Sequence, residues 1–136
     1  MDFMRSIAVA ASGLRAQSGR MRVIAENIAN ADSTGSKPGA DPYRRKIPSF
    51  ERSFDRDLEA SVVGLGRVRP DASAFRTKFD PGHPAADTLG NVKLPNVNSL
   101  IEQVDMREAQ RSYEANVNVV TATRRMISRT LDLLRA

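Results

Sequence analysis

The sequence predicts a mainly α protein with a small β region, in which long N- and C-terminal helices form a coiled-coil hairpin around an irregular middle segment. Three observations carry this reading. Residues 99–135 contain no Pro or Gly, and within them Met106, Tyr113, Val120, Ile127 and Leu134 recur seven apart. Ile7, Leu14, Met21 and Ile28 repeat that spacing near the N-terminus. Five of the seven aromatics, Tyr43, Phe50, Phe54, Phe75 and Phe79, fall between the two periodic stretches, where the pattern changes. The chain of 136 residues therefore divides into a helix over 1–31, a loop-rich, short-strand middle over 32–97, and a second helix over 98–136.

The first helix carries an offset row of Phe3, Ala10, Gln17 and Ile24 beside its main row. Ala8, Ala11, Ala16 and Ala25 keep the cylinder slim, while Gly13 and Gly19 each cost about 1 kcal/mol of helix propensity relative to Ala. Small side chains at that density let a neighbouring element approach closely. Asn27, Asn30, Asp32 and Ser33 then break the period, and Thr34-Gly35-Ser36-Lys37-Pro38-Gly39 is turn-rich, so the helix ends near residue 30. A left-handed cap at Asn30 and a bond from Asn27 back to a carbonyl are both open there.

In the middle, Ala60–Arg69, broken by Gly64 and Gly66, and Ala74–Lys78 read as short strands, and Tyr43–Ile47 alternates weakly. Phe50–Leu58 fits a helical turn with Phe50, Phe54 and Leu58 on one face. The aromatics make a small core possible here, although fewer than about 70 residues support a lone core only marginally. Asp80-Pro81-Gly82-His83-Pro84 is a turn, because two prolines and a glycine deny it a ladder.

The second helix opens at Asn96-Val97-Asn98-Ser99, with Ser99 placed to cap it and Glu102 to return the bond as a capping box. At 1.5 Å per residue its span is about 55 Å. Its offset row reads Gln110, Val117, Arg124 and Leu131. Polar residues at such positions weaken a coil but fix register and partner number, so a specified partner is expected. Glu102, Asp105, Glu108 and Glu114 precede Arg124, Arg125, Arg129 and Arg135, a gradient that suits the helix dipole. The candidate subunit-interface residues are therefore Phe3, Ile7, Ala10, Leu14, Met21, Ile24 and Ile28 on the first helix. On the second they are Met106, Tyr113, Val117, Val120, Ile127, Leu131 and Leu134.

Composition excludes several classes. A hydrophobic content of 40% is that of a folded protein. No run of 18 apolar residues exists to span a membrane. The Ala-rich N-terminus has Asp2 ahead of the single base Arg5, which argues against a secretion signal even though Ala8-Val9-Ala10 resembles a cleavage site. The absence of cysteine rules out disulfides, thiolate metal sites and a Cys nucleophile. The net charge of +5 raises nucleic acid as a partner, but the bases are spread thinly and the one dense run, Arg44-Arg45-Lys46, is flanked by Asp41 and Glu51. His83, with Asp80 and Asp87, lacks the nitrogen ligands of a zinc site and any signature nucleophile. No catalytic, metal or cofactor residues are assigned. The rival function class is a basic coiled-coil nucleic-acid-binding or adaptor protein, which a cluster of bases on one helix face would favour.

Ser12-Gly13-Leu14-Arg15-Ala16-Gln17 and Glu26-Asn27-Ile28-Ala29-Asn30-Ala31-Asp32-Ser33-Thr34 resemble the N-terminal motif of the bacterial flagellar rod and hook axial proteins. Tyr43-Arg44-Arg45-Lys46, Asp80-Pro81-Gly82-His83-Pro84, Pro95-Asn96-Val97-Asn98 and Tyr113-Glu114-Ala115-Asn116-Val117-Asn118 narrow the resemblance to the proximal-rod subunits. The motif positions are Asn27, Asn30, Tyr43, Arg44, Arg45, Pro95, Asn96, Asn98 and Asn116. Two features depart from the pattern: Asn91 stands where an aromatic is usual, and Ser33–Asp41 is Gly-rich. The resemblance implies a structural protein without an active site, whose terminal helices pack into a tubular assembly crossing the periplasm in the flagellar basal body. It implies as partners other copies of the chain, the rod proteins FlgB, FlgF and FlgG, the rod-base protein FliE, and the flagellar type III export apparatus, which takes subunits without a cleaved signal.

Overall fold

The computed structural model describes residues 2–135; the expected domain limits at residues 1 and 136 lie outside them. In chain order the elements are α1 (Phe3–Ala29), β1 (Lys46–Ile47), β2 (Phe50–Asp55), β3 (Ala60–Leu65), β4 (Arg69–Pro70), β5 (Arg76–Phe79), β6 (Asn91–Leu94) and α2 (Ser99–Arg135). The strands form three antiparallel two-stranded ribbons, β1–β4, β2–β3 and β5–β6. Two compact units result. One takes the chain up to Met21, Ser49–Arg67 and the chain from Arg107 on; the other takes Arg22–Pro48 and Val68–Met106.

Both helices start at a side-chain cap. Asp2 accepts the Arg5 backbone N–H at Oδ1 (3.1 Å), and Asn98 accepts those of Leu100 (3.1 Å) and Ile101 (3.5 Å). Asn98, not Ser99, thus caps α2. The capping box does not form because the Glu102 carboxylate is engaged elsewhere, by Asn27 and Arg45. At the end of α1, Asn30 bonds back to the Glu26 carbonyl through Nδ2 (2.9 Å). It takes no left-handed conformation: among the described residues positive φ occurs at Glu59, Gly39 and Gly90. Asn27 makes no back-bond and reaches across to other segments instead.

In the first unit α1 and α2 run antiparallel, with Gly13 against Asn116 and Arg20 paired to Glu108. Close approach explains the two glycines. A Cβ at Gly13 would sit 2.9 Å from the Asn116 side-chain amide, and one at Gly19 would sit 2.9 Å from Leu65 Cδ2. Ala10, Ala16 and Ala109 are also buried. The inward companion row of α2 therefore lies one residue earlier than the heptad reading placed it. Ala109 and Thr123 are buried and Asn116 half-buried, whereas Gln110, Val117, Arg124 and Leu131 are exposed. Small size selects that row, and its polar members satisfy themselves: Asn116 donates to the Ser112 carbonyl (3.0 Å) and Thr123 to that of Val119 (2.8 Å).

β2 and β3 form a hairpin in this unit, so Phe50–Leu58 is strand and turn and not a helical turn. Phe50 and Phe54, spaced to share a helix face, equally share a strand face. Asp55 Oδ1 then accepts the backbone N–H groups of Asp57 (3.0 Å) and Leu58 (3.2 Å) and turns the chain, with Glu59 left-handed at φ 47°. β3 lies along α1, where the Val63 N–H donates to Ser12 Oγ (3.2 Å).

The second unit holds β1–β4, β5–β6 and a core of Val23, Ile24, Ala31, Ala85, Val92 and Val97. The aromatics do not build the small core expected of the middle segment. Phe50, Phe54 and Phe79 are exposed, and the apolar interior is made mostly of Ala and Val. Around Pro81 and Pro84 the chain turns as expected, the Ala85 N–H donating to His83 Nδ1 (3.0 Å).

Candidate functional site

The second unit contains a buried polar junction that joins the end of α1 to the start of α2. Asn27, two residues before the close of α1, is fully buried and makes four hydrogen bonds. Its Oδ1 accepts from the Tyr43 hydroxyl (2.8 Å) and the Lys46 N–H (2.9 Å); its Nδ2 donates to the Lys46 carbonyl (2.8 Å) and to Glu102 Oε2 (3.1 Å). All the bonding capacity of the amide is used. To Lys46 it presents a donor and an acceptor together, as a paired strand would, which holds the Tyr43–Lys46 segment without a third strand.

Glu102, in the first turn of α2, is 1% exposed. Its other oxygen accepts from Arg45 Nε at 2.5 Å, and Arg45 reaches on to Asp71 (3.3 Å) and Asp105 (3.9 Å). Burial alone would lower the Arg45 pKa, but the Glu102 and Asp71 carboxylates outweigh it and raise it. The Ser73 backbone N–H and side chain, and then Arg45, hold the Asp71 carboxyl below its ordinary value. Asn96 ties the loop ahead of α2 into the same network. It accepts the Arg45 N–H (2.8 Å) and donates to Asp71 O (3.2 Å) and Ser73 Oγ (2.9 Å). Desolvation, with the nearby Glu26 and Glu102 charges, pushes the Tyr43 phenol up to about 12.

Two of the three charges in the basic run are paired with acids, and the third, Arg44, is turned to backbone carbonyls. Arg44 donates to the carbonyls of Asp71 (2.8 Å) and Ser73 (3.1 Å) and stacks over Phe75, Arg45 holds Glu102, and Lys46 pairs with Glu26. Of the motif positions, Asn27, Tyr43, Arg45 and Asn96 meet in this junction, Arg44 and the Asn98 cap adjoin it, and buried Pro95 accepts from Arg76 Nε (3.1 Å). Asn30 and Asn116 act elsewhere, on their own helices. Asp71 has no place in the sequence reading, Glu102 appears there only as half of a capping box, and Lys46 only as the last residue of the Tyr43-Arg44-Arg45-Lys46 motif. The only signal for them was that a dense basic run must find acids somewhere.

The interface candidates fall into three groups. Ala10 and Ile24 are buried in their own units. Phe3, Ile7, Leu14, Met21, Ile28, Met106, Tyr113, Val120 and Ile127 are half-buried, and Val117, Leu131 and Leu134 are exposed. Among the described residues no helix is long and apolar enough to cross a membrane.

Two long terminal helices tied where one ends and the other begins, with large apolar side chains exposed on α2, have the form of a structural subunit of an assembly. Family comparison agrees. Residues 7–37 match the family "Flagella basal body rod protein", and residues 89–133 match "Flagellar basal body rod FlgEFG protein C-terminal". The chain is 52% identical over 128 residues to the flagellar basal-body rod protein FlgC of Agrobacterium fabrum, covering 94% of this chain and 92% of that one. FlgC of Yersinia enterocolitica is 38% identical, with 98% of each chain covered, and FlgC of Bacillus subtilis 37%, with 98% and 99% covered. The chain belongs to the FlgC family of flagellar basal-body rod proteins. It is a structural component of the basal body and not an enzyme.

Replacing Arg45 by Ala leaves a buried carboxylate without its cation, and the expected cost is about 3–5 kcal/mol, measured by urea unfolding under far-UV circular dichroism. Changing Arg45 to Met and Glu102 to Leu together should cost less than the single change. Tyr43 supplies a pH signature. An unfolded tyrosine ionises near pH 10 and the folded one at about 12, so its contribution is fully present below pH 10 and lost as pH rises toward 12. The alkaline fall in unfolding free energy should therefore be shallower in Tyr43→Phe by roughly 1–3 kcal/mol.

Proposed function

We propose that the chain is a proximal-rod subunit that assembles by coiled-coil-like packing of α1 and α2 against other copies of itself and other rod proteins. The rod so formed crosses the periplasm and transmits motor torque to the hook and filament. FlgB, FlgF, FlgG and the rod-base protein FliE are the neighbours we infer, and the flagellar type III apparatus is the export route. In this reading the division at 1–31, 32–97 and 98–136 separates two axial helices from a segment that decorates the tube.

The observation that carries the proposal is apolar surface on α2 that the chain leaves uncovered. Val117, Leu131 and Leu134 are 39%, 51% and 79% exposed, and Val119, Met126 and Leu133 add to them. Exposed apolar area of this extent marks a surface meant to be covered. A rod under torque needs stiff, axially aligned elements with large lateral contacts, which two long helices supply. Against the nucleic-acid alternative, Arg45 and Lys46 of the one dense basic run are paired with acids and Arg44 donates to backbone carbonyls, which leaves no free basic cluster there.

Leu14→Asp tests the packing. It puts an unpaired charge into a close-packed row. Swimming on soft agar should be lost while the variant is still exported; normal swimming would mean that this row faces solvent.

A further inference from the structure

Two strand edges are left open. In the β2–β3 hairpin the Gly66 N–H donates to the Ser49 carbonyl (2.8 Å), so the odd-numbered residues of β2 turn their backbone groups toward β3. Phe50, Arg52 and Phe54 therefore direct N–H and C=O outward, and every residue of the strand before Asp55 is exposed, Phe50 at 45% and Phe54 at 65%. On the other side of the hairpin Val63 is already bonded to Ser12, so β2 is the free edge. In the β5–β6 ribbon the Asp80 N–H donates to the Gly90 carbonyl (2.9 Å). By the same alternation Thr77 and Phe79 face outward from β5, which is exposed along its length, Phe79 at 70%. Among the described residues neither edge has a backbone partner beyond its own ribbon, and neither Glu51 nor Lys78 has an ion-pair partner.

The geometry points to strand pairing between copies: β2 of one subunit adds antiparallel to β5 of the next, with Phe50 opposite Phe79, Glu51 opposite Lys78 and Arg52 opposite Thr77. The bonding parity of the two edges admits this register, because Phe50, Arg52, Thr77 and Phe79 are the residues whose backbone groups point outward. The same register puts the aromatic pair on one face and the opposite charges on the other, each pairing of a kind that stabilises neighbouring strands. An open edge with exposed aromatics is a template for another strand. Because the joined edges differ, the contact is heterologous and propagates head to tail, which a helical rod allows and a closed dimer does not. The inference rests on the reading that copies of the chain are neighbours in the rod, and adds a second contact to the helix packing.

The chain has no cysteine, so introduced pairs report cleanly. Phe50→Cys with Phe79→Cys, expressed in swimming cells, should give an oxidised dimer in purified basal bodies at least about fivefold stronger than the off-register pair Ser53→Cys with Phe79→Cys, since a disulfide needs Cα atoms about 4.4–6.8 Å apart. Glu51→Lys should impair swimming and Lys78→Glu in the same chain should restore it. Equal or absent cross-linking in basal bodies that contain the chain overturns the pairing, as does a double variant that swims no better than Glu51→Lys. The presence of the chain in purified basal bodies reports helix-driven assembly separately from the cross-link, so the two readings fail independently.

Discussion

A carboxylate with almost no access to water fixes how the two helices meet. Taking a charge out of water costs several kcal/mol unless a counter-charge and hydrogen bonds replace the solvent. Glu102 is satisfied by Arg45 on one oxygen and by Asn27 on the other, 75 residues away in sequence. Its place in the first turn of α2 adds the favourable field of the helix N-terminus. Such a site tolerates one arrangement only. A slip of either helix by a turn would leave Glu102 or Asn27 buried without a partner, and so we read the junction as the device that sets helix register.

Away from the junction, the packing is of another kind. Gly13, Ala16 and Ala109 allow close approach but bury little apolar area, and each Ala contributes a fraction of what a Leu would at about 25 cal/mol per Å². The larger side chains, Leu131, Leu133 and Leu134 among them, are turned outward. Stability within one chain is then uneven, high where the polar network closes and low toward the end of α2. That distribution suits a basal-body rod component, in which neighbouring subunits can supply the missing contacts.

Periodicity made the helices legible, because 3.5-residue spacing with no Pro or Gly over 37 residues admits no other element. It left the inward face of α2 ambiguous. A heptad row has a companion three or four positions away, and hydrophobicity favoured Val117 and Leu131 where the close approach of Asn116 to Gly13 selects the row of Ala109, Asn116 and Thr123. The hairpin was misread for a similar reason, since Phe50 and Phe54 fit a helix face and a strand face alike. The motif residues Asn27, Tyr43, Arg45 and Asn96 were visible as a set, but their shared function was not. Hydrogen bonds between segments 16 to 75 residues apart leave no periodic trace.

Hydrogen exchange along α2 in the purified, unassembled chain tests the account most directly. Backbone amides at Gln103–Met106, beside the Glu102 junction, should be strongly protected, while those at Arg129–Leu134 exchange close to the unprotected rate and gain protection in assembled rods. Even protection along the whole helix in the isolated chain would mean that one subunit completes its own fold, and would contradict the account.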